Sequence, residues 1–212
     1  MYPTPSVEGV LPVRLKGKTI GWGVCGSHCS YEEVLPQVEA VLAEGAKVVP
    51  VLSTAAATTE TRFGTPASLA AALKELTGFD PITTIVGAEP TGQQKRFDAF
   101  VIAPCTGNTL AKLANAITDS PVLMAAKGTL RNWRPVVIAI STNDALGNNA
   151  KNLGVLLNAR NVYFVPFGQD NPEAKPASCV AAFDRITETV IAALEHRQIQ
   201  PVLIERARRQ VR

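Results

Sequence analysis

The sequence predicts an α/β fold, a single doubly wound parallel sheet with helices on both faces. Short apolar runs alternate with segments of helical periodicity over residues 19–197. Two of these runs, 46–52 and 98–104, are almost continuously apolar, as is typical of strands covered on both faces. The length of 212 residues suits one domain, 1–212, with an N-terminal arm over 1–15 and a basic tail over 198–212.

The first two predicted strands flank a helix. Residues 19–25 form an apolar strand that ends at a glycine, and the next strand covers 46–52. Between them, Ser30 and Glu33 have the spacing of a capping box, which predicts a helix that ends at Gly45. A strand, a loop and a helix in this order favour parallel pairing of the two strands.

The rest of the chain repeats this alternation. Thr65 and Pro66 predict the cap and the first position of a helix that ends at Gly78. Segment 77–95 mixes short apolar pieces with Gly and Pro, so we expect a loop with at most a short strand. The remaining predicted elements are a strand at 98–104, a helix through Leu110, Leu113 and Ile117, a strand at 135–140, the end of a helix at 152–160, a strand at 162–166 and a helix at about 180–197.

The composition excludes several classes of protein. Hydrophobic residues make up 46% and charged residues 18% of the chain, which excludes a disordered or fibrous protein. No apolar run approaches the roughly 20 residues that cross a bilayer. The start of the chain lacks the pattern of a signal peptide, so we expect a cytoplasmic protein without membrane contact. The four cysteines are too scattered for a disulfide scaffold or a zinc site, and we expect reduced thiols and no metal.

The net charge of +3 comes from the C-terminal tail. Against Glu205 alone, residues 201–212 hold four arginines, Arg206, Arg208, Arg209 and Arg212, so the other 200 residues are neutral. Nucleic acid binding needs an extended cationic surface, and we do not expect it here. The tail has two interpretations, a segment that docks on an acidic partner surface or a solvated chain end.

Two polar segments at the ends of the first strands suit a phosphate. Gly26-Ser27-His28 offers small residues, a hydroxyl and backbone N–H groups at the start of a helix, and Ser53-Thr54 ends the neighbouring strand. Gly21-x-Gly23-x-x-Gly26 also matches the spacing of a dinucleotide fingerprint, a pattern that often occurs by chance. An ordinary turn explains Ser53-Thr54 equally well.

Two further polar loops follow later strands. Cys105-Thr106-Gly107-Asn108-Thr109 supplies hydroxyls, an amide and a glycine that lets a ligand approach the backbone. The alternative is a helix start that is capped by Asn108 or Thr109. Segment 141–149 is rich in side-chain amides and is either a third part of a site or a turn.

Residues 103–119 carry a family resemblance. They read Ala-Pro-Cys-Thr-Gly-Asn-Thr, then a helical pattern and Asp119, which is similar to the Pro-Ala-Ser-Ala-Asn-Thr stretch of the flavin-binding cysteine decarboxylase family. The order of the polar loops also resembles that family over most of 16–195. The resemblance implies a Rossmann-like flavoprotein fold that binds FMN. The contacts that it implies are Gly26, Ser27, Ser53 and Thr54 at the phosphate, Pro104, Cys105, Thr106, Gly107, Asn108 and Thr109 at the ring and ribityl chain, and Ser141, Thr142 and Asn143 in the amide-rich loop.

Four more stretches, 120–127, 130–134, 140–146 and 164–172, resemble an oxidoreductase subunit that is related to this family. That resemblance implies oxidation of a dihydropyridine dicarboxylate during endospore formation, in the cytoplasm of the mother cell. It also implies a partner subunit with a nucleotide-binding domain, through which NAD(P) can enter the reaction. Because the family's flavin sites lie near subunit contacts, we expect a homo-oligomer.

The sequence departs from the decarboxylases at two places. Their histidine upstream of the strand at 98–104 is replaced by Glu89–Lys95, and their Ala-Met-Asn is replaced by Ser141-Thr142-Asn143. Both departures disfavour decarboxylation relative to a redox or accessory role. Three functions stay open: a flavin-dependent oxidoreductase subunit, a flavin-dependent decarboxylase, and a subunit that stabilises its partner and binds no cofactor.

Oxidation of a dihydropyridine needs a base and cations that hold two carboxylates. His28 is a candidate base, because the dipole at a helix N-terminus disfavours the protonated imidazole, although capping or packing also explains it. Asn108 and Asn143 are the other catalytic candidates, since an amide both donates and accepts. The candidate cations are Arg62, Lys127, Arg131 and Arg134, and each can also be a solvated surface charge. Trp22 and Trp133 are candidates for flavin stacking or core packing.

Overall fold

The computed structural model describes residues 13–205, so the first part of the predicted arm and the arginines of the tail lie outside it. Seven strands and eight α-helices alternate over this range, and none of these helices is long and apolar enough to cross a membrane. The strands are β1 (Thr19–Val24), β2 (Lys47–Leu52), β3 (Ala99–Cys105), β4 (Val136–Thr142), β5 (Val162–Phe164), β6 (Phe167–Asn171) and β7 (Lys175–Ala181). The helices are α1 (Tyr31–Ala43), α2 (Thr54–Thr58), α3 (Pro66–Thr77), α4 (Ile85–Gln93), α5 (Gly107–Ala114), α6 (Pro121–Leu130), α7 (Ala150–Leu157) and α8 (Ile186–Leu194).

The sheet confirms the predicted doubly wound fold. Parallel strands follow the order β2-β1-β3-β4-β5, and their carboxyl ends therefore share one edge. The chain winds outward from β1 to β2 and then returns to β3 on the other side of β1. This reversal opens a crevice beyond the ends of β1 and β3, which is where such folds bind ligands.

An antiparallel hairpin, β6-β7, extends the carboxyl half of the sheet. Its strand β7 pairs with the end of β4, with Thr142 opposite Cys179 and Ser141 opposite Val180. The prediction of a helix from residue 180 was therefore wrong at its start, because residues 175–181 satisfy their backbone groups in this hairpin. The hairpin brings residues of a distant segment to the crevice.

Two glycines of β1 explain the dinucleotide-like spacing without a ligand. A Cβ on Gly21 would lie 2.5 Å from a ring atom of Phe100, and a Cβ on Gly23 would lie 2.9 Å from Val122. Both contacts are shorter than carbon atoms tolerate. The glycines therefore let β3 and α6 pack closely on β1.

Several predicted helix ends are confirmed and others are corrected. Thr65 caps α3 with Pro66 in its first turn, and Gly78 ends it in the left-handed conformation at φ 75°. Ser30, in contrast, makes no side-chain capping bond to α1. The helix predicted through Ile117 ends at Ala114, and Ile117 is exposed.

Within segment 77–95, where we expected a loop, residues Ile85–Gln93 form a helix, α4. Its glycines and Pro90 lower its intrinsic helix propensity, so tertiary packing decides its structure. Gly92 lies against Gly128 of α6, where a Cβ on Gly92 would be 2.7 Å from the Cα of Gly128. The Asn132 amide donates to the carbonyls of both glycines at 2.7 Å and so joins the two helices.

We expect Gly92→Ala to lower the free energy of unfolding by about 1–3 kcal/mol, because the new methyl group meets backbone that cannot give way. Gly154→Ala is the matched control. Gly154 lies in α7 with open space around its Cβ position, so alanine there should raise the free energy of unfolding by up to about 1 kcal/mol. Urea unfolding monitored by circular dichroism measures both values, and equal shifts of the same sign would contradict the proposed contact between α4 and α6.

Candidate functional site

Two adjoining cavities open at the carboxyl edge of the sheet. The larger has a volume of about 600 Å³ and the smaller about 250 Å³, and Gly26, Thr106 and Asn108 line both. The larger is also lined by Ser27, Cys29, Gly107, Ser141, Thr142, Asn143, Asp144, Asp170, Lys175, Ser178 and Val180. The smaller is also lined by Ser53, Thr54, Ala55, Thr109, Lys112, Asp119, Ser120 and Leu123.

The structure brings together most of the residues that the sequence suggested as cofactor contacts. Eleven of the thirteen line one or both cavities. Pro104 and Cys105 do not line either cavity, because they are the buried last residues of β3. Asn108 and Asn143, the two amide candidates for catalysis, both lie exposed in the larger cavity.

Three serine hydroxyls join the loop after β1 to the end of β4. The Ser141 Oγ lies 2.8 Å from the Ser27 Oγ and 2.9 Å from the Ser30 Oγ, and the Ser27 and Ser30 hydroxyls are 3.3 Å apart. This cluster explains why Ser30 does not cap α1: its hydroxyl is used across the sheet instead. Ser27 and Ser141, both suggested as cofactor contacts, are fixed by each other.

Thr106 caps α5, which corrects the expectation that Asn108 or Thr109 does. Its Oγ1 accepts a hydrogen bond from the backbone N–H of Thr109 at 3.3 Å and donates to the Thr109 hydroxyl at 3.2 Å. The Thr109 hydroxyl in turn lies 3.3 Å from the Cys25 sulfur, at the end of β1. Because Thr106 takes the capping position, the Asn108 side chain projects from the first turn of α5.

Gly107 is required by the protein itself. A Cβ at this position would lie 2.5 Å from the Thr142 Oγ1, 2.6 Å from the Asp144 Oδ1 and 2.8 Å from the Asn149 Nδ2. The sequence suggested that Gly107 lets a ligand approach the backbone. The structure places the side chains of the loop after β4 there, so the glycine lets α5 start against that loop.

The smaller cavity has the donors that a phosphate requires. Ser120 caps the ten-residue helix α6 by accepting from the Leu123 N–H at 3.3 Å, and α5 also starts at this cavity. Helix N-termini favour anions. Lys112 adds a cation, paired with Asp119 at 2.6 Å.

His28 lies in a different cavity, of about 240 Å³, between α1 and the segment around Phe63. Its ring is tilted against Tyr31 with 5.1 Å between centroids. Burial lowers the pKa of His28, which favours the neutral imidazole. His28 does not line the larger cavity, but its Nε2 would lie 3.6 Å from a Cβ on Gly26, which lines both cavities.

The four suggested cations do not converge on the site. Lys127 and Arg131 lie roughly 10 to 16 Å along α6 from Ser120. Arg134 donates to the carbonyls of Lys95 and Phe97 at the amino end of β4. Arg62 is exposed, stacks on Phe63 at 4.8 Å and lies nearest to the His28 cavity.

The two tryptophans lie away from both cavities. Trp22 is fully buried and its indole N–H donates to the Ala103 carbonyl at 3.2 Å, which confirms core packing. Trp133 is 65% exposed and has Arg160 over its ring at 4.6 Å. Trp133 precedes β4, whereas the candidate site follows β4. The length of this strand therefore places Trp133 and the site roughly 20 Å apart.

The hairpin contributes two residues that the sequence analysis missed. Asp170 is the only charged side chain that is buried among residues 13–205, and the Lys175 Nζ lies 3.6 Å from its Oδ2. Both line the larger cavity. Asp170-Asn171-Pro172 is a turn-forming segment, and this signal would have predicted a hairpin between the strand at 162–166 and the helix at about 180–197.

Comparison with known proteins identifies what the chain is similar to. Residues 10–198 match the model of the flavoprotein family. The chain is 54% identical over 191 residues to the B subunit of dipicolinate synthase from Bacillus subtilis (strain 168), which covers 90% of this chain and 96% of the relative. The crystal structure of the dipicolinate synthase B subunit from Bacillus halodurans C is 51% identical and superimposes with a TM-score of 0.84 over 91% of this chain and 99% of that one.

A more distant match supports the fold alone. The FMN-dependent cysteine decarboxylase SpaF is 21% identical and superimposes with a TM-score of 0.60 over 84% of this chain and 98% of that chain.

The four cysteines should differ sharply in reactivity. Cys29 is exposed in the larger cavity, whereas Cys25, Cys105 and Cys179 are buried. Burial raises the pKa of Cys25 to about 11, so at pH 8 only about one part in a thousand is the reactive thiolate. We expect Ellman's reagent to label one thiol rapidly at pH 8, and Cys29→Ser to abolish that phase. Rapid labelling that persists in the variant would show that a buried thiol is accessible. The control is the total number of thiols that react with the reagent after unfolding in guanidinium.

Proposed function

The chain belongs to the flavoprotein family, and on this premise we propose that it acts as the B subunit of dipicolinate synthase. In this proposal it binds FMN and supports oxidation of dihydrodipicolinate to dipicolinate in the mother cell cytoplasm during endospore formation. It does so together with the A subunit of that synthase, which is called the partner subunit below. The observation that carries the proposal is the pair of adjoining cavities at the switch point of the sheet, one suited to a phosphate and one lined by amides and hydroxyls.

The residues that are present fit FMN. Ser53, Thr54, Thr109 and Ser120 offer hydroxyls around the smaller cavity, and the N-termini of α5 and α6 favour a dianionic phosphate there. The charge of Lys112 is offset by Asp119, which lines the same cavity. FMN, when bound, supplies a two-electron acceptor. The Asn108 and Asn143 amides would orient the edge of its ring, since each can donate and accept.

The protein's own contribution is to hold the reactants in one geometry. The Ser27–Ser30–Ser141 hydroxyl cluster fixes the loops after β1 and β4 relative to each other, so the two walls of the larger cavity keep their spacing. Lys175 is the cation that this chain presents in that cavity, and we assign it to one carboxylate of the substrate.

A dianionic substrate needs more positive charge than the described residues of the larger cavity supply. Asp144, Asp170 and Lys175 are the charged residues of the larger cavity, and together they carry one net negative charge. The described residues 13–205 that line this cavity therefore do not supply the further cations. We propose that the partner subunit supplies them, together with access to NAD(P), and that assembly of several copies of this chain brings Arg62 or Arg131 of a neighbouring copy closer to the cavity.

This shortage of positive charge also favours a second candidate function, which is to stabilise the partner subunit without binding a cofactor. The two candidates differ in one property, which is whether the purified chain retains FMN. Decarboxylation is the less favoured alternative, because Glu89–Lys95 supplies no histidine and most of this segment lies in α4 against α6.

We expect the purified protein to retain a visible flavin band after incubation with FMN and desalting, and we expect dihydrodipicolinate to bleach it when the partner subunit is present. A colourless protein that still activates the partner subunit would favour the stabilising role. Bleaching by the chain alone would place the whole redox step on this chain.

A new negative charge in the smaller cavity tests whether the phosphate binds there. Thr54→Glu should weaken FMN binding about 10-fold to 100-fold, because it places a carboxylate in the smaller cavity beside the phosphate. Thr58→Glu is the matched control, one turn further along α2 and outside both cavities. Fluorescence quenching of FMN measures both dissociation constants. Equal effects of the two variants would argue against a phosphate in the smaller cavity.

A further inference from the structure

The Asp144 carboxylate lines a cavity that should bind anionic molecules, and both of its oxygens are already occupied. Its Oδ1 accepts a hydrogen bond from the Thr142 hydroxyl at 2.5 Å, and its Oδ2 accepts from the Asn149 amide at 2.7 Å. A negative charge in the cavity assigned to the flavin ring and the dicarboxylate disfavours binding of the dicarboxylate. Its two hydrogen bonds instead hold the side chains of Thr142 and Asn149 in place.

Asn149 continues this contact into a chain of amides. Its Oδ1 accepts from the Asn152 Nδ2 at 2.9 Å, and the Asn152 Oδ1 accepts from the Asn115 Nδ2 at 3.1 Å. Asn115 also donates to the Ala111 carbonyl at 2.7 Å, near the end of α5. The chain of hydrogen bonds therefore joins the loop after β4, the start of α7 and the carboxyl end of α5.

The same carboxylate lies against the amino end of α5. The backbone of Gly107 approaches so closely that a Cβ would be 2.6 Å from the Asp144 Oδ1. Thr142 and Asn143 precede Asp144 directly, and Asn108 follows Gly107, so the neighbours of these contacts are the residues assigned to the flavin ring. Asp144 thus connects the start of α5 with the loop after β4, and both line the larger cavity.

We propose that Asp144 is a positioning residue that sets the spacing between Asn108 on α5 and Thr142-Asn143 after β4, and thereby the affinity for the flavin ring. Asn149 completes the arrangement by donating to Asp144. This inference rests on the proposed binding of FMN, but the position of the loop can be measured without the cofactor.

An exchange of the two side chains provides the test. Asn149→Asp alone places two carboxylates against each other, and we expect it to weaken FMN binding at least 10-fold. The double variant Asp144→Asn with Asn149→Asp restores one donor and one acceptor, and it still accepts from Asn152, so its FMN affinity should return to within about 3-fold of wild type. Asp144→Asn alone should have the smaller effect, because the Thr142 hydroxyl can accept as well as donate.

Three measurements separate positioning from general stability. FMN dissociation constants come from fluorescence quenching, unfolding from urea titration, and loop position from amide hydrogen exchange of residues 106–109 and 141–143 without FMN. Asp80→Asn is the control, since Asp80 is exposed and paired with Lys74 far from the cavities; it should change no value more than about 2-fold. The exchange rates should rise in Asn149→Asp and return in the double variant.

The inference is overturned if Asn149→Asp lowers the urea midpoint but leaves FMN affinity and local exchange unchanged, or if the double variant regains stability without regaining either. If the wild-type protein binds no FMN, the proposed function fails instead. Hydrogen exchange in the single and double variants then decides whether Asp144 positions the two loops, independently of any cofactor.

Discussion

The site depends on the absence of a side chain at Gly107. Because no Cβ is present, the first turn of α5 lies directly against Thr142, Asp144 and Asn149. This contact holds the start of α5 against the loop after β4. The Ser27–Ser30–Ser141 hydroxyl cluster holds the end of β4 against the loop after β1. The parallel sheet supplies the edge at which these segments meet, since the carboxyl ends of its strands lie side by side.

The polar groups at this edge have two different roles. Serine, threonine and asparagine side chains that bond to one another fix the loops, and Ser141, Thr106 and Asn149 belong to this set. Asn108 and Asn143 are instead exposed in the larger cavity. Such a division holds exposed groups in place before a ligand arrives, which reduces the entropy that binding must overcome.

Charge is distributed unevenly between the two cavities. The smaller cavity has hydroxyls, two helix N-termini and the ion pair of Lys112 with Asp119. The larger cavity has Lys175 as its cation and two aspartates, so a dicarboxylate would meet a net negative surface. His28 lines a neighbouring cavity, and the exposed Arg62 side chain stacks on Phe63 beside it.

The sequence by itself determined the fold and the membership of most of the site. Continuous apolar runs at 46–52 and 98–104 predicted buried parallel strands, and strand ends predicted where Gly26, Ser53, Thr106 and Ser141 would meet, because parallel topology fixes that edge. Only the tertiary structure decided the rest. Helix α4 forms against the local propensity of its glycines and proline because α6 packs on it, and the hairpin carrying Asp170 and Lys175 enters the cavity through pairing with β4. The Ser30 hydroxyl bonds to Ser141, 111 residues away, and does not cap α1. Arg134 donates to the Lys95 carbonyl at the amino end of β4, opposite the candidate site. Such long-range contacts leave no local pattern, because a side chain bonds to whichever partner the fold brings within reach.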